Sequence, residues 1–333
     1  MCHWRPALLI AVLGVGCMPS LGDVPRPGDG PVDLGPDAAG PDADSAPADT
    51  RPPVSTITCH DDCRDMVVNR VLLPVAGTKS LDLDGDGEGD NALGTILLAL
   101  SAAVPSLELQ ERLDTAVYMG RTLMLIRTQA SSFVDADRAL AQVWHGEGQT
   151  CCTTVIDRAA CKAQATQTCF SGTHPFKPDP VTPNTSVLGG QIKSGHAAFG
   201  PAKMALSLPL SPQVTLEAEM IGVRVHGDLT LQGMSNGLVG GAIQKSQLES
   251  KVVPVIAQLL QDEVDNPKTP QSTRDTILNS FDTDKDGHIS NSEVKGHGLV
   301  KTFLNGDVDV DGDHVNELSV GFRIEAVRAV IDD

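Results

Sequence analysis

Three short acidic runs constrain this chain more than any other feature of its sequence. They span residues 82–90, 282–293 and 307–317, and together they hold 14 of the 43 acidic residues. Like charges packed this closely repel one another and oppose a compact fold unless a partner of opposite sign offsets them. Aspartate at alternate positions of a tight loop directs several hard oxygen atoms toward one point. The runs therefore predict binding sites for a hard divalent cation.

The formal net charge of −18 is concentrated in these runs and in an N-terminal segment. Seven more aspartates lie between residues 18 and 53. Outside the leader and these segments, 22 acidic residues are nearly balanced by 21 lysines and arginines. This distribution argues against an evenly acidic surface, and it argues against nucleic acid as a partner, which requires clustered cations. The aromatic content of 3% provides few rings on which bases could stack.

The middle run reads Asp-Thr-Asp-Lys-Asp-Gly-His-Ile-Ser-Asn-Ser-Glu. Asp282, Asp284 and Asp286 occupy its positions 1, 3 and 5, and Glu293 occupies position 12. Gly287 at position 6 permits the sharp turn that such a loop needs. This pattern resembles the calcium-binding loop of the EF-hand family, and the resemblance covers only residues 269–304.

The resemblance implies a ligand set and two flanking helices. The four carboxylates would coordinate Ca²⁺ together with the backbone carbonyl of His288 and a water held by Ser290. Leu278 and Phe281 supply the apolar contacts of an entering helix, whereas Gly296 and Gly298 lower the helix propensity of the exiting segment.

The other two runs match each other. Both contain Asp-x-Asp-Gly-Asp, an acidic residue at position 9 and a glycine at position 13. This pattern looks like the compact calcium loops of thrombospondin type 3 repeats and related exported modules. The resemblance implies that one ion is bound by Asp82, Asp84, Asp86 and Asp90, and another by Asp309, Asp311, Asp313 and Glu317, with Asp307 as a substitute ligand. The last run lacks a glutamate at position 12, so it is not a second standard EF-hand.

Residues 1–17 have the features of an export signal. Arg5 precedes an apolar run over 7–16 that is too short to span a bilayer. The run ends in Leu-Gly-Val-Gly-Cys17, which resembles a bacterial lipobox except at Gly14, where an apolar residue is usual. The resemblance implies that Cys17 is lipidated and anchors the protein to a membrane. Because Met18 follows, an outer-membrane or cell-surface lipoprotein is predicted; a plainly secreted or periplasmic protein and an uncleaved anchor are the alternatives.

Residues 18–56 predict a disordered tether. Nine of the chain's 22 prolines lie here among repeated glycine, alanine and aspartate, and no apolar periodicity is present. Segments of this composition cannot bury enough apolar surface to fold, and proline together with self-repelling charge keeps them extended. A folded body held off a surface is the architecture that follows.

Six cysteines remain in the body of the chain: Cys59, Cys63, Cys151, Cys152, Cys161 and Cys169. An even number in an exported chain predicts three disulfides, for which 15 connectivities exist. The adjacent Cys151 and Cys152 are expected to pair with two different partners. A zinc site at Cys59-His60-Asp61-Asp62-Cys63 is the alternative for the first pair, although the spacing lacks a second matching pair.

The order of predicted elements gives an α+β fold, mainly antiparallel sheet with a few helices, braced by calcium loops and disulfides. An N-terminal α/β part covers 57–150 and a Cys/Pro-rich connection covers 151–186. A β-rich part with a helix covers 187–268, the EF-hand covers 269–304, and the last acidic loop and a terminal strand cover 305–333. Strands are expected at 65–74, 121–127 and 318–331, and helices where apolar residues recur between 93 and 104 and between 109 and 117.

Four local features are predicted within the β-rich part. Alternation over 214–225 predicts a strand with a bulge near Gly222. Gly227-Asp228 predicts a turn. A capping box from Ser246 to Glu249 predicts a helix start, and Pro254 marks its first turn or a kink.

No catalytic motif accompanies the acidic runs: HExxH, GxSxG and the P-loop are absent from the sequence. A non-enzymatic protein that binds Ca²⁺ for structural stability is therefore predicted. Mg²⁺ is the rival ion, but it demands strict octahedral geometry and keeps several waters. A calcium-dependent extracellular hydrolase or polymer-binding adhesin is the alternative, and the strands of 187–232 admit a carrier of apolar ligands. No motif identifies a protein or polymer partner.

Overall fold

An eight-stranded antiparallel sheet closed into a barrel forms the centre of the computed structural model. Residues 57, 59, 62–73, 80–153, 157–180, 187–211 and 213–332 are described, and they belong to the unit Asp44–Asp333. The leader at 1–17, Cys17 and nearly all of the tether at 18–56 lie outside them. The barrel strands are β1 (Cys63–Leu72), β2 (Met124–Ala130), β3 (Ala136–His145), β5 (Leu188–Lys193), β6 (His196–Pro209), β7 (Thr215–Thr230), β8 (Gly233–Ile243) and β9 (Leu318–Arg328). They are neighbours in that order, and β1 pairs with β9 to close the sheet.

Two further strands form a small parallel sheet. They are β4 (Pro175–Phe176) and β10 (Val330–Ile331). Arg127 on β2 donates to both carboxylate oxygens of Asp65 on β1 and also to the Ile331 carbonyl. The Ile331 amide donates back to Asp65. This charged contact holds β10 against the barrel, and the predicted α+β class with mainly antiparallel sheet is confirmed.

Eight helices pack against the sheet and against one another: α1 (Ala92–Ala103), α2 (Leu109–Tyr118), α3 (Arg158–Gln167), α4 (Lys245–Gln247), α5 (Val253–Asp265), α6 (Gln271–Phe281), α7 (Asn291–Gly296) and α8 (Gly298–Phe303). Among the described residues, α1 contacts β9 and α8, α2 contacts β1, and α5 contacts both α6 and α7. The helices predicted between 93 and 104 and between 109 and 117 are confirmed. Leu93, Ile96 and Leu97 of α1 are fully buried, as their helical spacing indicated.

No single helix in the described part of the chain is long and apolar enough to cross a membrane. The successive segments Ala92–Ala102 and Pro105–Tyr118 reach the required length and composition only together, across a bend of 109°. Their apolar side chains belong to the buried core.

The long strand β7 follows the predicted alternation, with a difference at its end. Residues 216, 218 and 220 are buried, and 215, 217 and 219 are exposed. The register shifts between Ile221 and Arg224, so the bulge near Gly222 is confirmed. The turn predicted at Gly227-Asp228 is wrong, because β7 runs on to Thr230. Gly227 is an inward position where a Cβ would meet Met234, so the glycine serves close packing rather than a turn.

Two helical predictions are corrected by the structure. The capping box from Ser246 to Glu249 is not formed, because the helix has already begun at Lys245 and Ser246 lies inside it. A π-helical turn over Leu248–Val252 follows, and Pro254 marks the first turn of α5 as expected. The Cys/Pro-rich connection contains the helix α3, capped by Asp157 through the Ala160 amide. Its buried face consists only of Cys161 and Ala165, too little for an apolar periodicity to be visible.

All six body cysteines form disulfides: Cys59–Cys63, Cys151–Cys169 and Cys152–Cys161. The prediction that Cys151 and Cys152 have different partners is confirmed. A sulfur in a disulfide is not a thiolate, so Cys59 and Cys63 are not available as zinc ligands. Three disulfides are typical of a compartment outside the cytoplasm.

Candidate metal-binding loops

Each acidic run folds into a loop that brings three carboxylates together. The groups are Asp82, Asp84 and Asp86; Asp282, Asp284 and Glu293; and Asp309, Asp311 and Glu317. Within each group, one oxygen of every residue lies within 4.8 Å of the others. Carboxylate oxygens at this separation are the donor set of a hard divalent cation. The residues of all three loops therefore fit a metal ion.

The three loops share one backbone conformation. Positions 4 and 6 have positive φ in every loop, with values of 86° and 88° at Gly85 and Gly87, 62° and 82° at Lys285 and Gly287, and 75° and 65° at Gly312 and His314. Left-handed residues at these two places curl the chain so that positions 1, 3 and 5 face the same centre. Lys285 and His314 adopt this conformation without being glycine, which indicates that the rest of the loop imposes it.

The first aspartate of each loop accepts hydrogen bonds from amides of its own loop. Asp82 accepts from the Gly85 and Gly87 amides at 2.6 and 2.9 Å. Asp309 accepts from the equivalent amides, of Gly312 and His314, at 2.8 and 3.0 Å. Asp282 accepts from the Asp286 and Gly287 amides, at 3.2 and 2.9 Å. These bonds fix the loop and leave further lone pairs of each carboxylate for an ion.

The last acidic residue of each loop closes it in the same way. Its carboxylate accepts from the amide at position 2: Leu83 donates to Asp90 at 2.6 Å, Thr283 to Glu293 at 2.6 Å, and Val310 to Glu317 at 3.1 Å. Sequence comparison of the runs placed these residues at position 9 or 12. The shared hydrogen bond shows that both spacings deliver a carboxylate to the same place.

The closing carboxylates differ in their electrostatics. Burial raises the pKa of Asp90 to about 6, against the Leu83 hydrogen bond, and the charges of Asp84, Asp307 and Asp86 raise it further. Burial also raises the pKa of Glu317, with the charges of Asp311, Asp313 and Asp309 adding to the effect. In contrast, hydrogen bonds, first from the Ser290 amide, lower the pKa of Glu293 to about 2. Asp90 and Glu317 are therefore carboxylates whose negative charge a nearby cation would relieve.

The EF-hand-like loop lies between α6 and α7, as the sequence indicated. Phe281, the last residue of α6, stacks on the ring of His297, with ring centres 4.3 Å apart. Ser290 and Glu293 form a capping box at the start of α7. The buried Ile289 has its amide bound to Gln261 of α5 at 2.8 Å, which fixes the loop against that helix. Only six residues long, α7 ends at Gly296, in agreement with the weak exiting helix expected from the glycines.

The first and last loops pack against each other through a small apolar cluster of their own. Leu81, Leu83, Val308 and Ala242 form it, with Val310 packed alongside. Leu81 and Leu83 flank the first aspartate of one loop, and Val308 and Val310 flank that of the other. At the bulge of β7, a Cβ on Gly222 would approach the Val310 side chain to 2.9 Å, so glycine there makes room for the loop.

Not every predicted ligand joins its group. Asp90, Asp286 and Asp313 lie in their loops but outside the three groups of close oxygens. Asp286 and Asp313 accept from the amides of His288 and Val315, each at 2.7 Å. Asp307, proposed as a substitute ligand, instead accepts from the amide and hydroxyl of Ser319 at the start of β9.

The contacts that support the loops are not visible in the sequence pattern. Arg224 on β7 donates to the Asp82 carbonyl at 2.6 Å. Asn91, immediately after the first loop, exchanges two hydrogen bonds with Gly321 on β9. These residues lie more than 140 positions from their partners, so only the strand register reveals them.

Comparison with known proteins supplies no family for the chain: no family model, curated protein or solved structure matches it. The resemblance to EF-hand and thrombospondin-type loops therefore rests on the loop residues alone. Acidic groups suited to a metal ion, within a disulfide-bonded α+β fold, are what the structure establishes.

Proposed function

We propose that this protein is a non-enzymatic calcium-binding protein whose three acidic loops hold Ca²⁺ to stabilise its folded body. The observation that carries the proposal is the repeated loop geometry. Three separate segments have left-handed residues at the same two positions, the same closing hydrogen bond and a group of three converging carboxylates.

Calcium suits these loops better than magnesium. Ca²⁺ accepts six to eight oxygen ligands in an irregular arrangement, including backbone carbonyls and both oxygens of one carboxylate. Mg²⁺ requires near-ideal octahedral geometry and gives up its waters reluctantly. The clustered carboxylates, together with carbonyls such as that of His288, provide many protein oxygens in a flexible loop. That donor set favours the larger ion.

A stabilising role follows from where the ions would be bound. The first and last loops lie between β1 and α1 and directly before β9, so each ion would link elements of the barrel and the helices. Calcium modules outside the cell bind at roughly 10⁻⁴ to 10⁻³ M. Where free calcium is at that level or above, the sites are filled and stabilise the fold by mass action.

The location proposed is outside the cytoplasm, with a lipid anchor at Cys17. The three disulfides support an oxidising compartment. The leader, its similarity to a lipobox and the proline-rich tether support export and anchoring. The disulfide-bonded body would then be held from a membrane surface by residues 18–56.

Native mass spectrometry and calorimetry of the full chain test the calcium proposal. We expect three Ca²⁺ per chain, a melting temperature that rises with Ca²⁺ more than with Mg²⁺, and a fall on adding EGTA. A site at 100 times its Kd adds about 2.7 kcal/mol to the free energy of unfolding. An unchanged melting temperature after chelation would contradict the proposal.

A pair of variants ties the ions to the loops. Glu293→Gln removes one charged ligand group and is expected to reduce the count from three ions to two. Glu249→Gln is the matched control, because Glu249 pairs with Lys295 on the exposed surface at 2.8 Å and belongs to none of the three groups. It is expected to keep all three ions; loss of an ion in both variants, or in neither, would separate metal binding from the loop.

A further inference from the structure

A cluster of imidazole and carboxylate side chains lies on β6, β7 and β8, outside the acidic loops. It consists of His196, His226, Asp228 and Asn236. The side chains of His196 and Asp228 are 54% and 43% exposed, so solutes reach them from solvent. None of the contacts among these four residues involves an acidic loop, and the calcium proposal leaves them without a role.

Strand register places the two histidines side by side. His196 lies directly opposite Asp228 in the antiparallel pair β6–β7, and His226 lies opposite Ala198. His196 and His226 are therefore diagonal neighbours on one face of the sheet. Their ring centres are 6.1 Å apart and their planes are nearly perpendicular, at 85°.

Asp228 fixes the orientation of the first imidazole. One of its oxygens lies 2.9 Å from Nδ1 of His196, and the other accepts from the amide of Asn236 at 2.8 Å. Asn236 occupies a register shift of β8 with a positive φ of 51°, a conformation that asparagine tolerates better than most residues. Hydrogen bonds from Asn236 and then from His196 lower the pKa of Asp228, which keeps the carboxylate charged.

A carboxylate at Nδ1 has a chemical consequence for the other ring nitrogen. It holds the proton on Nδ1 and leaves the lone pair on Nε2, pointing away from the carboxylate. This is the arrangement in which histidines ligate metals, with the carboxylate as an outer partner that orients the ring and raises its basicity. His196 is thus prepared as a ligand before any ion arrives.

We propose that His196 and His226 together bind one divalent d-block cation, of the class of Zn²⁺, Ni²⁺ or Cu²⁺, with Asp228 as the outer partner of His196. Imidazole nitrogen suits these ions, whereas Ca²⁺ and Mg²⁺ prefer oxygen. Two imidazoles on one tetrahedral ion, at about 2.0 Å from each nitrogen, have ring centres roughly 5 Å apart. Side-chain rotation by the exposed His196 supplies the ~1 Å of closure. Water completes the coordination.

This site is independent of the calcium loops. It uses other residues and a softer class of ion, so it stands or falls separately from the function proposed above. The experiment therefore contains excess Ca²⁺, which occupies the carboxylate loops and leaves the imidazoles as the sites open to a d-block ion.

Calorimetric titration of the full chain with Zn²⁺ tests the inference. We expect one Zn²⁺ per chain at this site, and an affinity that falls about tenfold or more in His196→Ala and in His226→Ala. Asp228→Asn retains the shape of the side chain and is expected to lower the affinity by roughly tenfold through its effect on His196. The control His174→Gln removes an imidazole that contacts Gln149 and Phe176 and is expected to leave the affinity unchanged.

NMR of the imidazole nitrogens of the wild-type chain gives a second readout that needs no variant. The Nε2 resonance of His196 and a ring nitrogen of His226 are expected to shift at one equivalent of Zn²⁺. The inference is overturned if Zn²⁺ shifts only other histidines, if it does not bind, or if the double variant lacking both imidazoles binds as tightly as the wild type.

Discussion

Glu263 shows how a single buried carboxylate can join several helical segments. Its side chain is only 3% exposed. One oxygen accepts from the hydroxyls of Ser106 and Thr269, each at 2.8 Å, and the other accepts from Arg112 at 2.9 Å. Burial of Glu263 acts to raise its pKa, but these hydrogen bonds outweigh it and hold the pKa below the ordinary value of 4.5. The carboxylate therefore links α5 to α2, to the turn before α2 and to the start of α6.

Replacing Glu263 with glutamine is expected to lower the free energy of unfolding at pH 7 by about 2 kcal/mol, because the hydrogen bonds to a charged group are lost. A group whose folded-state pKa is lowered stabilises the fold above its unfolded pKa and loses that contribution as pH falls through the folded value. The difference between wild type and variant should thus be full above pH 5 and shrink below 4.5. Urea unfolding from pH 7 to pH 3 measures it.

The exposed Glu249→Gln is the control for this series and should change the stability by less than about 1 kcal/mol at every pH. A difference between wild type and Glu263→Gln that grows on acidification, or that does not depend on pH, would contradict the role assigned to the carboxylate.

At this scale the sequence predicts ligands better than supports. Alternating aspartates announce a cation loop because ligand spacing is local, so the positions of Asp82, Asp282 and Asp309 were found correctly. Glu263 has no such signal, since its partners lie 6 to 157 residues away and only the fold brings them together.

Among the elements, the two loops joined by Leu81, Leu83 and Val308 form a unit. Because their apolar residues share one cluster, ordering of one loop by an ion also orders the packing partner of the other. We expect Asp84→Asn to weaken ion binding at loop 309–317 by fivefold or more, a typical size for coupling between sites. Calorimetry or native mass spectrometry over a Ca²⁺ series measures the successive affinities.

Loop 282–293 serves as the internal reference, because it is fixed to α5 and not to this cluster. Its affinity should be unchanged in Asp84→Asn. The converse variant, Asp286→Asn in that loop, should leave the paired loops unchanged. Equal weakening of all three sites by Asp84→Asn would point to a general loss of stability instead of coupling between two loops.

Elements with one clear buried face were predicted, and those without one were missed. The helix α1 and the strand β7 each show their own period. The strand β3 escaped prediction because consecutive residues from 141 to 144 are all buried, so no alternation is visible. Closure of the barrel escaped as well, since pairing of β1 with β9 joins residues about 260 positions apart and depends on contacts that no local window contains.

The whole molecule combines a barrel of long strands with a layer of short helices. The strands β6 and β7 have 14 and 16 residues and are paired along both edges. The helices α7 and α8 have six residues each, and α7 follows an acidic loop directly. Regions with less buried apolar contact open at lower free energy than the core of a fold.

Removal of metal ions is therefore expected to loosen the helical layer before the barrel. In hydrogen exchange followed by mass spectrometry, EGTA should accelerate exchange in peptides covering 269–304 by at least tenfold. Peptides of β6, β7 and β8 should remain protected. Uniform acceleration across the barrel strands would instead show that the ions stabilise the whole fold as one cooperative unit.

The seam between β1 and β9 also gives the molecule a polarity. The chain enters the barrel at Cys63 and leaves it near Arg328, and the pairing of Met66 with Arg328 puts both points at one end. The paired acidic loops contact the sheet at Gly240 and Gly321, seven residues back along β9 from Arg328. At about 3.3 Å per residue, that is roughly 20 Å from the point of exit. Any object attached ahead of residue 57 would therefore hold the barrel by one pole, and the paired loops would face outward from the other.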